Sequence, residues 1–248
     1  MPSFRRRSFA FWLLICAVAF YAAVESFIYL HTRSKQHMAA QLGGTFAGVM
    51  RAIYQTGFDL VTKDPHNDKG EVISSWRFAL RFYALEGEAF DSRKPWDDPV
   101  NVKWWREMPY PSRLTVDGRQ TCVMALTGPG TFFTEVSSAQ PTDFDEDTIV
   151  LVEVRNSGIH WMQPGDLSIE TMPKTIDPLQ GLGISGNLPG GFHVAFADGQ
   201  AWFISNDVPF ETLEKFFTRE GAMAASREDL LEPYCIRKFM PGYIEGQN

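Results

Sequence analysis

The chain has 248 residues, 44% of them apolar and 21% charged, with a formal net charge of −7. That apolar share excludes general disorder, and the acidic balance argues against a nucleic-acid binder, which would carry a basic face. Three cysteines are too few for a disulfide scaffold. Read from the N-terminus, Arg5, Arg6 and Arg7 precede an apolar run from Phe9 to Leu30, broken late by Glu25 and Ser26. About 20 apolar residues suffice for a helix to cross a hydrocarbon core. The arginines then keep the N-terminus cytoplasmic and the remainder is exported. His31, Arg33 and Lys35 follow on the exported side. Two readings compete with a retained anchor. Ala17-Val18-Ala19 fits a small-x-small cleavage site, and Arg6-Arg7-Ser8-Phe9 touches the twin-arginine export pattern. The apolar run continues well past Ala19, which favours retention.

Beyond the run, Met38, Leu42, Phe46, Val49, Met50 and Ile53 recur at the spacing of one helix face, despite Gly43 and Gly44. Thr56 to Gly70 is polar and reads as a connector. Ser74 or Ser75 can cap a helix from Trp76 to about Glu86, stopped by Gly87, and Pro99 to Glu107 suggests a short helix. Thr121–Leu126 and Thr148–Val154 read as strands, the second apolar on both faces and therefore central. Gly190 to Ile204 reads as a β-hairpin around Asp198-Gly199. A two-residue turn there sets Ala197 opposite Gln200. Phe192, Val194, Phe196, Ala201 and Phe203 then share one face, and His193, Ala195, Trp202 and Ile204 the other. Gly199 is expected at positive φ, and Asp198→Asn is expected to be nearly neutral, because Asn-Gly suits the same turn. Asp207 can cap a helix from Pro209 to Glu220, with Phe210, Leu213 and Phe217 inward and Gly221 ending it. The residues from 222 onward read as a tail.

Candidate chemistry is sparse. Asp143-Phe144-Asp145-Glu146-Asp147 could attract calcium, but Thr148 and Val154 stand where an EF-hand loop has its Gly and distal Glu. A solvated turn is the expectation. His160, His193 and Glu153 could meet around a metal, yet no close ligand spacing supports it. Gly128-Pro129-Gly130 lacks the ending of a phosphate loop, and no nucleophile elbow is present. Cys122 and Cys235 could pair, although two buried thiols are the simpler reading. Trp96, Trp104, Trp105, Trp161 and Trp202 could line a glycan- or peptide-binding surface. Core packing is expected for at least three of them. No catalytic residue, cofactor or metal is assigned.

Several blocks occur in an order that is similar to one family. Ser75-Trp76-Arg77-Phe78-Ala79-Leu80 comes first, then Pro95-Trp96-Asp97-Asp98-Pro99 and Met108-Pro109. Thr127-Gly128-Pro129-Gly130-Thr131-Phe132 follows, then Asp147 to Val154 and Ile159 to Leu167. Leu188-Pro189-Gly190-Gly191 leading to Asp198-Gly199 closes the series. The set resembles the planctomycete-type prepilin-like proteins called prepilin-type processing-associated, after a His, nine residues and Asp-Gly. Here the His is Leu188. Pro189, Gly190, Gly191, Asp198 and Gly199 are the motif's turn and hairpin residues. Laid on a prepilin leader, Arg5-Arg6-Arg7-Ser8-Phe9 keeps the Phe, but the processing Gly is Ser8 and the assembly Glu is Leu13. That points to a monomeric anchor rather than a filament subunit.

The resemblance implies an α+β fold, with an N-terminal transmembrane helix continuing into a pseudopilin-like helix packed on an antiparallel sheet. The expected division is a cytoplasmic stub and anchor (1–31), an extracytoplasmic domain (32–221) and a C-terminal tail (222–248). The expected role is structural or interactive and non-enzymatic, in a bacterial envelope. The protein would be single-pass in the inner membrane, with unidentified envelope proteins as partners and no nucleic acid. The alternative is an envelope glycan- or peptide-binding module using exposed Trp residues.

Overall fold

The computed structural model describes residues 3–56, 66, 69–70, 72–78, 91, 94–103, 120–135 and 144–240. It divides into two units, Met1–Ala40 and Gln41–Asn248. The first is helical from Ser3, the start of helix α1 (Ser3–Thr56). Its side chains before Phe20 lie outside the described residues, as does most of the predicted anchor with them. Phe20, Ile28, Tyr29 and Leu30 stand exposed. Among the described residues, no helix is long and apolar enough to cross a membrane.

In the second unit, the spacing read from the sequence sets the buried face of α1. Leu42, Phe46, Val49, Met50 and Ile53 are all buried, whereas Met38, expected on the same face, is exposed. Phe46 stacks on His193 with ring centroids 5.8 Å apart. Gly43 does not weaken this helix by accident. A Cβ there would collide with the Phe239 ring, so glycine permits the close approach.

The remaining elements are β1 (Val123–Thr127), α2 (Phe132–Glu135), β2 (Ile149–Glu153), β3 (Leu167–Ser168), β4 (Gly191–Phe196) and β5 (Ala201–Ser205). α3 (Phe210–Leu213), α4 (Arg219–Met223), α5 (Arg227–Leu230) and β6 (Cys235–Phe239) complete them. The fold is α+β, and the strands form a six-stranded sheet in the order β3-β1-β2-β4-β5-β6. The sheet is mixed rather than antiparallel throughout. β3 lies parallel to β1, with Leu126 opposite Leu167, because the chain from β2 crosses over before reaching that edge. β2 is buried at every position and has neighbours on both sides, as its two apolar faces required.

The hairpin forms, but its register differs by one residue from the expected one. His193 pairs with Phe203 and Ala195 with Ala201. Phe196 N–H donates to the Gln200 carbonyl and Gly199 N–H to the Phe196 carbonyl, each at 2.9 Å. This is a three-residue loop in which only Gly199 takes positive φ, at 86°. Gly199 serves as the bulge residue after an ordinary turn. Consequently Phe192, Val194 and Phe196 share the core with Trp202 and Ile204, while His193 meets Phe203 on the opposite face.

Two further expectations change. Phe210, Leu213 and Phe217 are buried as read, but α3 ends at Leu213 and passes into a 3-10 turn (Glu214–Phe216), and the Thr218 side chain caps α4 as a separate helix. Pro209 precedes α3, with no side-chain cap, and Asp207 accepts from Ser205 Oγ instead. Gly221 lies inside α4. A Cβ there would strike the Lys215 carbonyl. The predicted tail from 222 also carries structure through residue 240. Ala222 and Leu231 join the main core, and β6 becomes the strand beside β5. Its Ile236-Arg237-Lys238 has too little apolar alternation to announce a strand. Cys122 and Cys235 are free. They flank or begin β1 and β6, four strand spacings apart or about 19 Å, beyond disulfide reach.

Candidate functional site

Each motif residue at the hairpin has a physical reason. Gly190 sits at φ 90°. A Cβ on Gly191 would meet the Ile204 carbonyl, so the strand start needs glycine for close approach. Leu188 is buried and bridges to Gly191. Pro189 is exposed beside it. Asp198 does more than turn the chain. Its Oδ1 accepts from Gln200 N–H at 2.8 Å, and its Oδ2 accepts from Arg227 Nη2 at 2.6 Å.

Arg227 is buried and joins three segments. Its backbone N–H donates to Asp147 Oδ2 at 2.9 Å, and Nε lies 3.0 Å from Asp147 Oδ1. Its guanidinium covers the rings of Phe196 and Trp202, at 4.7 and 5.4 Å from their centroids. Burial disfavours the charged guanidinium, yet the bonds and charges of Asp198 and Asp147 hold its pKa above the ordinary arginine value. Burial raises the Asp147 carboxyl despite Arg227. The acidic run is thereby partly occupied. Asp145 Oδ1 accepts from Asp147 N–H, and Asp147 is bound to Arg227. Asp143 lies outside the described residues.

A second cluster joins β2 to β4. Glu153 Oε1 accepts from the backbone N–H and the side-chain amide of Asn187, at 2.7 and 2.8 Å. Oε2 accepts from His193 N–H at 2.9 Å and lies 2.6 Å from His193 Nδ1. Both side chains are fully buried. Burial would raise the Glu153 carboxyl, but His193 and Asn187 outweigh it and hold it below the ordinary glutamate range. The imidazole packs against Phe46, Phe203 and Phe239. His160 is not part of this group. It stacks on Trp96 at 5.0 Å, so the imagined three-residue metal site does not assemble. Among the described residues, no group of metal-binding side chains comes together. The Cys122 thiol is pushed up by burial first and then by the charge of Glu153, which suppresses the reactive thiolate.

The third cluster unites two blocks of the resemblance. Asp166 Oδ1 accepts from Arg77 Nη1 and from Ala125 N–H, both at 2.8 Å, and Oδ2 accepts from the Trp76 indole at 2.8 Å. Arg77 Nη2 also donates to the carbonyls of Gln163 and Gly165. Ser75 binds the same loop, through Oγ to the Trp161 carbonyl and N–H to that of Met162. Trp96 N–H reaches the Ile73 carbonyl at 2.6 Å. The helix expected from Trp76 opens at 76–78, and its continuation to Glu86 lies outside the described residues.

The arrangement is a set of buried, mutually satisfied pairs that fasten segments distant in sequence. The charged groups in them are committed to each other. Trp161 and Trp202 are fully buried, and Trp96 is half-buried, so these three do not form an exposed aromatic surface. Trp104 and Trp105 lie outside the described residues. Asn187 and Arg227 escaped the sequence reading, and Asp166 stood in a named block without its pairing to Arg77 being read, because a lone residue's partner across a fold leaves no spacing signal. No protein-family model, curated protein or solved structure matches this chain.

Proposed function

We propose that the chain is a membrane-anchored extracytoplasmic interaction protein with a pseudopilin-like build and no catalytic activity. The observation that carries this reading is the N-terminal unit. Phe20 is 72% exposed and Leu30 63% exposed on a helix that also bares Ile28 and Tyr29. A run of large apolar side chains needs apolar surroundings, and the sequence extends it back to Phe9 behind three arginines. The second support is the laying of α1 from Leu42 to Ile53 on the sheet, which suits a helix that emerges from a bilayer into a domain. Non-catalysis is favoured by the buried, pairwise-satisfied state of Glu153, His193, Arg77, Asp166 and Arg227. A catalytic group needs access to a substrate.

The test uses native membranes. The protein is expected to resist extraction by alkaline carbonate, to show an intact mass that retains Phe9–Leu30, and to recover specific envelope proteins after crosslinking. A new N-terminus at Phe9 or Phe20 would overturn the anchor. Turnover of an ester, peptide or glycoside that disappears in His160→Ala or His193→Ala with the fold intact would overturn the non-enzymatic part.

A further inference from the structure

Helix α1 changes character within two turns of its first unit. Val24, Ile28, Tyr29 and Leu30 are exposed large apolar side chains. The exposed residues that follow are polar or basic, with His31, Arg33, Lys35 and His37 among them. From Ser26 to the end of α1 at Thr56 the helix holds no acidic residue, although the whole chain carries a net charge of −7. Neither Arg33 nor Lys35 makes an ion pair among the described residues. Both cations stand open to their surroundings.

Helix geometry sets their height and bearing. At about 1.5 Å per residue, Arg33 stands about 4.5 Å and Lys35 about 7.5 Å past Leu30, where the apolar run ends. The headgroup layer on each side of a bilayer's hydrocarbon is about 5–7 Å deep. Both charged groups therefore fall at the level of lipid phosphates, with their stems free to lie along the last apolar turn. Tyr29 suits the same boundary, with an apolar ring and a polar tip. Arg33 follows Tyr29 at i+4, whereas Lys35 follows Ile28 at i+7. The two cations thus stem from positions about 160° apart around the axis. A protein docked on one face of this helix would cover one of them and leave the other. A ring of lipids meets both.

We propose that Arg33 and Lys35 form a collar that gathers anionic phospholipid headgroups around α1 on the far side of the membrane. The collar rests on the anchor reading above and names the class of lipid it favours. An acidic lipid brings a net negative charge that a zwitterionic lipid lacks, so two unpaired cations at headgroup level select the acidic one.

The test uses full-length protein reconstituted in phosphatidylcholine vesicles that hold a minor share of phosphatidylglycerol. Each lipid is supplied in turn in a photo-crosslinking form, and the labelled peptides are identified by mass. Peptides covering 29–38 are expected to take the phosphatidylglycerol label about fivefold over the phosphatidylcholine label, after correction for abundance. Arg33→Gln with Lys35→Gln is expected to bring that ratio to about one, and Arg33→Lys with Lys35→Arg to keep it. Labelling around Arg5–Arg7 should respond to neither exchange and serves as the internal reference. Equal labelling of 29–38 by the two lipids, or a preference that survives the double glutamine variant, would overturn the collar. In native membranes, a protein held at 29–38 in place of lipid would also overturn it. A chain that fails to float with the vesicles defeats the anchor and the collar together; one that floats without lipid preference defeats the collar alone.

Discussion

Asp198 and Gly199 adjoin and do different work. Gly199 holds a backbone conformation that a β-branched residue resists, so Gly199→Val is expected to cost at least about 1 kcal/mol in denaturant unfolding. For Asp198 the structure reverses the neutral expectation. Asn would keep the turn but lose the charge facing buried Arg227, at a cost of about 1–3 kcal/mol. In a double-mutant cycle, Asp198→Asn and Arg227→Met should couple strongly, and strict additivity would deny the contact. Glu153 makes a pH prediction. Its folded carboxyl titrates below the ordinary range, so its charge stabilises the fold above the unfolded value of about 4.3. That contribution fades as pH falls through the folded value. The loss caused by Glu153→Gln should therefore be full above about pH 5 and shrink under more acid conditions. A loss that grew towards low pH would reverse the assignment. Burial raises the carboxyls of Asp147 and Asp166, and these act in the opposite sense.

Elements were legible where periodicity is strong. The α1 face from Leu42 to Ile53, the all-apolar β2 and the two hairpin strands could be read directly, because burial selects those spacings. The hairpin's register could not, since one bulge residue shifts the pairing without altering either strand's pattern. β3 and β6 were illegible for different reasons. The first has two residues, and the second places Arg237 and Lys238 at the edge of the sheet, where charge is tolerated. The candidate clusters were half legible: Arg77 and its partner Asp166 each stood in a recognisable block, as did Asp198, but Arg227 did not, and no spacing announced any of the pairings. Neighbouring glycines in α1 test the helix packing. Gly43→Ala should be destabilising, because Phe239 occupies the space. Gly44 has nothing within 4 Å of a built Cβ, so Gly44→Ala should gain about 0.5–1 kcal/mol. Equal effects in thermal unfolding would contradict the docking of this helix face.

At the scale of the molecule, the main core draws on β1, β2, β4, β5, α3 and α4 together with Leu231 from beyond α5. The Arg227 and Arg77 clusters tie further segments together. A fragment starting near Arg33 is therefore expected to unfold in urea as a single transition by both tryptophan fluorescence and circular dichroism. Separate midpoints would mean that the Ser75–Asp166 region unfolds by itself.

The contact of Gly43 with Phe239 joins nearly the first and nearly the last residues of the domain. Synthesis from the N-terminus delivers Phe239 late. Until then, α1 lacks the ring it rests on and the sheet lacks its final strand. The earlier part of the domain therefore waits unfinished for its C-terminus, with the apolar face of α1 in need of shelter meanwhile. Completion is a property of the C-terminus: a chain truncated before Cys235 should remain open to protease, however much of the domain is already present.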